Sequence, residues 1–240
     1  TQMTNHQQQL LIHNVSQLLT LKGGPQRGSR LGELGIIEQG AVLVDGVRIV
    51  EVGVSELLLA KFPSAQQLDA RGHVVMPGFV DPHTHLVWAG DRAAEFDLRL
   101  QGKSYLEILE AGGGILSTVQ ATRSASVDEL VLQTHQRARL AFSYGTTTAE
   151  VKTGYGLALE PELKQLQAIL ELNELGPIQM IPTFLGAHAV PPEYEGRTDD
   201  YVDLICQVML PEVLDWWQIH AEGQPLPFVD VFCERGAFNL

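Results

Sequence analysis

The rhythm of apolar and polar positions changes once along this chain, near residue 73. Before that point, from Leu10 to about Asp69, short runs rich in β-branched residues alternate with turn residues. The runs Gly40–Val44 and Val47–Val52 flank Asp45-Gly46. Asp-Gly between two such runs predicts a hairpin, because the central residues of its turn must tolerate positive φ. Lys22 to Gln39 reads as a Gly-rich, mixed-charge loop. Ser55 to Phe62 reads as a short helix, with Ser55 as its N-cap and Pro63 beyond its end.

After residue 73 strands and helices alternate. Val74–Val80, Gly145–Val151, Ile178–Leu185 and Phe228–Cys233 are strand candidates, apolar and β-branched. Between them lie helical stretches. Tyr105–Ala111 is a short one. Ser126–Tyr144 carries apolar residues at Leu130, Leu132, Ala138, Leu140 and Ala141, with Ser126 and Glu129 spaced as a capping box. Pro161–Leu175 starts with proline in its first turn. Thr198–Ile219 is broken at Pro211. The alternation predicts an α/β fold with a parallel sheet or barrel. The expected division is a β-rich segment over 1–72 and four βα units over 73–240, half the strands of an eight-stranded barrel.

Composition narrows the picture. With 240 residues, 45% of them hydrophobic and 19% charged, the chain can bury a sizeable core. The formal charge of -13 argues against nucleic acid as a partner, since it would repel phosphates. It serves solubility instead. Cys206 and Cys233 make no disulfide framework, and Cys233 is expected as a small core residue of the last strand. No apolar run approaches the roughly 18 residues of a membrane span. Thr1–Gln9 lacks the basic and apolar regions of a signal peptide, so the cytoplasm is the expected location.

Ionisable and polar residues gather just after the predicted strands: His83 and His85, then Glu150, Lys152 and Tyr155, then His188, then Glu234. In a parallel barrel that edge carries the chemistry. His83 and His85 stand at i and i+2 after an apolar run, so a strand turns both imidazoles to one side. Two imidazoles so placed are half of a zinc-type or iron-type site. Asp81 has two readings, a partner for a ligand imidazole or a turn-stabilising residue. Gly112-Gly113-Gly114 lacks the Lys-Ser/Thr ending of a phosphate loop and reads as a turn. His220-Ala221-Glu222 follows a helical run and reads as a helix end, and Trp216 and Trp217 as core residues.

Pro77–His85 resembles the first-strand motif of the amidohydrolase superfamily, metal-dependent hydrolases built on a (β/α)8 TIM barrel. The segments His85–Arg92, Ala111–Thr118, Glu150–Gly156 and Phe184–His188 are similar to one branch of it, which opens a cyclic amide bearing a propanoate arm in histidine degradation. The resemblance implies a small accessory β domain followed by the first half of the barrel. It implies that His83 and His85 bind one zinc or iron ion, and that Arg92, Tyr155 and His188 contact the substrate. A metal-activated water would open the ring. Lys152 lies after the second barrel strand, too early for the carboxylated lysine of two-metal relatives, so one ion is expected. The family's third metal histidine, its metal aspartate and its acid/base residues are expected beyond residue 240. The partners implied are a small-molecule substrate and a second copy in a homodimer, with neither nucleic acid nor membrane. Two rivals remain: another cyclic-amide hydrolase or a deaminase of the superfamily, and a non-catalytic half-barrel.

Overall fold

A computed structural model describes residues 9–104, 107, 113–234 and 238. The expected helix at Tyr105–Ala111 and the glycine at Gly112 fall almost wholly outside them. The chain divides into two compact units, Thr1–Pro77 and Gly78–Leu240.

The first unit is a four-stranded sheet of β1 (Leu10–Leu19), β2 (Ile36–Asp45), β3 (Arg48–Val54) and β4 (Gln66–Asp69), in the order β3-β2-β1-β4. Ile36–Gln39, expected in a loop, belong to β2, and Ile36, Ile37 and Glu38 pair with β1. The predicted hairpin forms one residue later than the Asp-Gly pattern suggests. Asp45 pairs with Arg48, so Gly46 and Val47 make the loop, and Gly46 takes the positive φ of 58°. Helix α1 (Ser55–Lys61) starts with Val54, not Ser55, at its N-cap. The Ser55 hydroxyl is used elsewhere: it donates to the Gly40 carbonyl at 2.5 Å and accepts from the Asn14 N–H at 3.0 Å. Leu11, Ala41 and Leu43 lie in one apolar cluster and Val15, Leu18 and Val42 in another. Alternation separates Val42 from its neighbours on β2, while β1 is irregular, its register shifting between Ile12 and Val15. Val75 exchanges backbone hydrogen bonds with β1, from its N–H to Gln17 and from the Leu19 N–H to its carbonyl. The predicted strand Val74–Val80 is therefore split, and its first part stays with this unit.

The second unit holds β5 (Phe79–Thr84), β6 (Thr146–Lys152), β7 (Gln179–Ala187) and β8 (Phe228–Val231), paired in parallel in sequence order. Helices α2 (Ala93–Leu100), α3 (Ile115–Ser124) and α4 (Val127–Ser143) lie between β5 and β6. Helix α5 (Leu159–Leu175) joins β6 to β7, and α6 (Thr198–Leu204) and α7 (Leu210–His220) join β7 to β8. This is the expected half-barrel. The Ser126–Glu129 capping box opens α4. The buried face of α4 is Leu130, Thr134 and Ala138, spaced by four, while Leu132 and Leu140 point outward. The apolar letters alone overstate that face.

Pro211 does not break its helix. It cannot donate to the carbonyl four residues back, and its ring crowds that carbonyl. A π-helical turn, Ile205–Met209, precedes it, and the helix runs on as α7. The last strand is shorter than expected. Val231 ends it, and Cys233 is exposed, as is Cys206. With a neighbour on one side only, β8 leaves Phe228, Val229 and Val231 exposed too.

The core of this unit joins Leu166, Ile169 and Leu172 of α5 to Met180 and Phe184 of β7 and Trp217 of α7. Gly78 lets the first strand approach the second. A Cβ there would fall 2.2 Å from the Thr147 side chain of β6, while next door the Phe79 N–H donates to the Gly145 carbonyl. Among the described residues, no helix is long and apolar enough to cross a membrane.

Leu166→Ala, at a fully buried position, is expected to cost about 2–5 kcal/mol. The same change at outward-facing Leu132 should stay within about 0.5 kcal/mol. Urea unfolding of the two variants measures both; equal losses would put the α4 and α5 faces wrong.

Candidate active site

The C-terminal ends of β5, β6 and β7 bring four of the predicted residues together. His83 is near the end of β5 and His85 just beyond it, with ring centroids 5.7 Å apart. His188 follows β7 and stacks on His85 at 4.6 Å and 13°. Tyr155, in the turn after β6, lies 5.4 Å from each of those rings. Phe232 meets His188 edge-on at 5.9 Å. Glu234 is exposed. The Asp81 carboxylate accepts from the His83 backbone N–H at 3.3 Å, within β5 rather than in a turn.

His85 Nδ1 is buried with no hydrogen-bond partner. Burial first, then the nearby His188 and His83, push its pKa down to about 4. The ring is therefore neutral near pH 7, the state in which imidazole binds a metal ion. An orphaned ring nitrogen beside a second imidazole fits a metal-ligand pair. Among the described residues, no group of three or more His, Cys, Asp or Glu side chains is placed to hold an ion. The fit is that of two ligands.

His188 Nδ1 lies 2.8 Å from the Gly154 carbonyl. A carbonyl only accepts, so Nδ1 carries the proton and Nε2 keeps its lone pair. Burial holds the His188 pKa below the usual histidine value. Burial likewise raises that of Tyr155, against the opposing charge of Arg92, so its hydroxyl stays protonated.

Arg92 immediately precedes α2 and makes an ion pair with Glu95, Nε at 2.8 Å and Nη2 at 2.5 Å from one carboxylate oxygen. The other oxygen accepts from the Gly114 N–H at 2.7 Å. The arginine, more than burial opposes, holds the Glu95 carboxyl below its ordinary range. The loop from His85 to Arg92 is anchored on α4. Arg137 donates to the carbonyls of Leu86 and Trp88 at 2.9 and 2.8 Å and lies 3.4 Å from the Trp88 ring centre. Below the histidines, buried Lys152 reaches Glu150 at 2.7 Å and Asp230 at 3.0 Å. The Thr183 hydroxyl donates to Glu150 at 2.6 Å. The expected structural or electrostatic part of Lys152 is this network.

Sequence reading missed Glu95, Asp230, Glu162, Arg123 and Arg137. Two of them left a trace: Glu95 stands three residues after Arg92, a helical ion-pair spacing, and Asp230 is an ionisable residue inside an apolar strand. His220 ends α7, with Nδ1 2.8 Å from the Trp216 carbonyl and its ring stacked on Trp216, so the helix-end reading holds.

Comparison with known proteins follows the geometry. The amidohydrolase family model matches residues 66–111. A triazine hydrolase variant shares the fold with a TM-score of 0.61 at 18% identity, covering 96% of this chain and 48% of its own. Aminofutalosine deaminase of Helicobacter pylori does so with a TM-score of 0.51 at 13% identity, over 94% and 43%. The half-barrel with its strand-end histidines is thus similar to the amidohydrolase family over 66–111 and shares the fold of these two enzymes. More closely, the chain matches the N-terminal part of imidazolonepropionases. It is 52% identical to that of Chloroflexus aggregans over 236 residues, 96% of this chain and 55% of the relative. It is 50% identical to that of Symbiobacterium thermophilum over 235 residues, 96% and 54%. The chain thus spans about half the length of the curated relatives it matches.

The depressed His85 value sets a pH dependence. Between its ordinary 6.5 and about 4, the unfolded chain takes up a proton that the folded chain does not. The contribution is whole above pH 6.5 and is lost as the pH falls toward 4. In chelator-treated protein, the urea midpoint should drop over that range, and less so in His85→Gln. Identical slopes for the two proteins would remove the buried neutral ring.

Proposed function

We propose that the protein hydrolyses 4-imidazolone-5-propanoate to N-formimidoyl-L-glutamate in histidine degradation. The observation that carries this reading is the gathering of His83, His85, Tyr155 and His188 at the strand ends, in a chain 52% identical to the imidazolonepropionase of Chloroflexus aggregans over 236 residues. His83 and His85 hold one zinc or iron ion, since imidazole suits both. Held there, the ion would supply a water activated for hydrolysis of the ring amide.

The residues of this chain bind and orient the substrate. Arg92 takes the propanoate through charge-assisted hydrogen bonds, with Glu95 fixing the direction of the guanidinium. Tyr155, its hydroxyl kept protonated, donates a further hydrogen bond to the same carboxylate. His188 offers Nε2 as an acceptor for a ring N–H of the substrate. The further metal ligands and the acid/base groups lie outside the residues given roles here. The same reading includes a homodimer in the cytoplasm, with neither nucleic acid nor a membrane as partner, in keeping with the -13 charge.

The test uses the protein at its natural length. Metal-loaded protein should consume imidazolonepropanoate and leave guanine untouched, with one ion per active chain. His83→Ala should lose both metal and turnover. Turnover of guanine instead would favour a deaminase. No turnover and no retained metal would favour a non-catalytic half-barrel, and two ions per active chain would overturn the single-metal reading.

A further inference from the structure

The turn that carries Tyr155 is gripped from both sides by charged residues that touch no part of the proposed site. Glu162, in the first turns of α5, is fully buried. One of its carboxylate oxygens accepts from the Gly154 N–H at 3.0 Å. The other accepts from the N–H groups of Gly156 and Leu157, both at 2.7 Å. Arg123, at the end of α3, takes the carbonyl side of the same turn. It donates to Gly156 at 2.6 Å and to Leu157 at 3.2 Å, and also pairs with Glu193.

Burying a carboxylate is costly unless hydrogen bonds replace its water. Three convergent N–H donors do so here, and they fix the turn in return. The fit is close: a Cβ on Gly156 would lie 2.6 Å from the Glu162 nitrogen. Leu157, with a side chain, is held at φ 50°, a left-handed conformation that needs support from its surroundings. The turn then sets the neighbouring ring, because the Gly154 carbonyl accepts from His188 Nδ1, and a Cβ on Gly154 would lie 2.8 Å from the His188 side chain.

We infer that Glu162 and Arg123 are positioning residues, a two-sided clamp whose grip on the Gly154–Leu157 turn fixes Tyr155 and His188 in their binding positions. The inference rests on the proposed function for what those two rings bind, and on this geometry for the clamp.

The experiment compares natural-length, metal-loaded wild type with Glu162→Gln and, should that variant fold poorly, Arg123→Lys. Glutamine keeps one acceptor but turns an amide toward an N–H. Lysine keeps the charge but loses the fork. The amides of Gly154, Gly156 and Leu157 should exchange faster with solvent while those of β6 stay protected. The Tyr155 and His188 ring resonances should shift. KM for imidazolonepropanoate should rise about tenfold or more, since displaced binding groups are that costly, with bound metal unchanged. Unchanged exchange at the three amides, or loss of protection spread evenly over the half-barrel, overturns the clamp. Local loss with unmoved rings and unchanged KM overturns its positioning role. If wild type does not turn over imidazolonepropanoate, the functional reading fails by itself, and the amide exchange and ring shifts still decide the clamp.

Discussion

The Lys152 ammonium, buried at the end of β6, lies between Glu150 and Asp230, and the rest of the site is built above it. Burial pushes its pKa down, but the two carboxylates outweigh that and leave it raised. The pair with Asp230 reaches from β6 to β8, past the strand between them. Glu150 meanwhile accepts from Thr183 of β7, and its backbone carbonyl accepts from the Thr84 hydroxyl of β5 at 2.6 Å. All four parallel strands are therefore tied at the edge where the histidines emerge. A buried charge deprived of its partner costs about 3–5 kcal/mol, so the network ties the strand ends together where their pairing is irregular, between Asp81 and Thr84 of β5 and between Phe184 and Ala187 of β7. His83, His85 and His188 emerge beside these ties.

Above this floor the site is assembled from loops, each held by something outside it. Arg137 holds the carbonyls between His85 and Arg92, Glu95 holds the Arg92 guanidinium, and Glu162 with Arg123 holds the Tyr155 turn. The pattern is consistent: aromatic and imidazole rings face one another, while formal charges behind them satisfy backbone groups. Rings so placed are held in advance by the fold, and under the proposed function that preorganisation would lower the cost of binding a planar substrate.

The sequence made much of this legible, and the reasons differ by element. The four parallel strands and their order came from runs of β-branched residues separated by helical stretches, a strong periodic signal. The capping box at Ser126 was readable because its two bonds are local. Ser55 was misread because its hydroxyl bonds to Gly40 and Asn14, residues distant in sequence. Cys233 was misread because an apolar run does not reveal which strand lacks a neighbour. Of the site, the rings were legible through motif resemblance. The clamp was not, since Glu162 reads as an ordinary acid in the first turn of α5 and Arg123 lies 33 residues before the carbonyl it holds.

Gly78 has a meaning beyond its own contact. It belongs to the stretch that announces the histidine pair, yet what it answers to is Thr147, nearly seventy residues away, whose side chain leaves no room for a Cβ. The two positions share one small volume, so neither can grow unless the other shrinks. Across natural variation they should be inherited as a couple. Part of what makes this stretch recognisable is thus a record of how closely two strands lie, written beside the paired histidines by a residue whose only business is with a neighbouring strand.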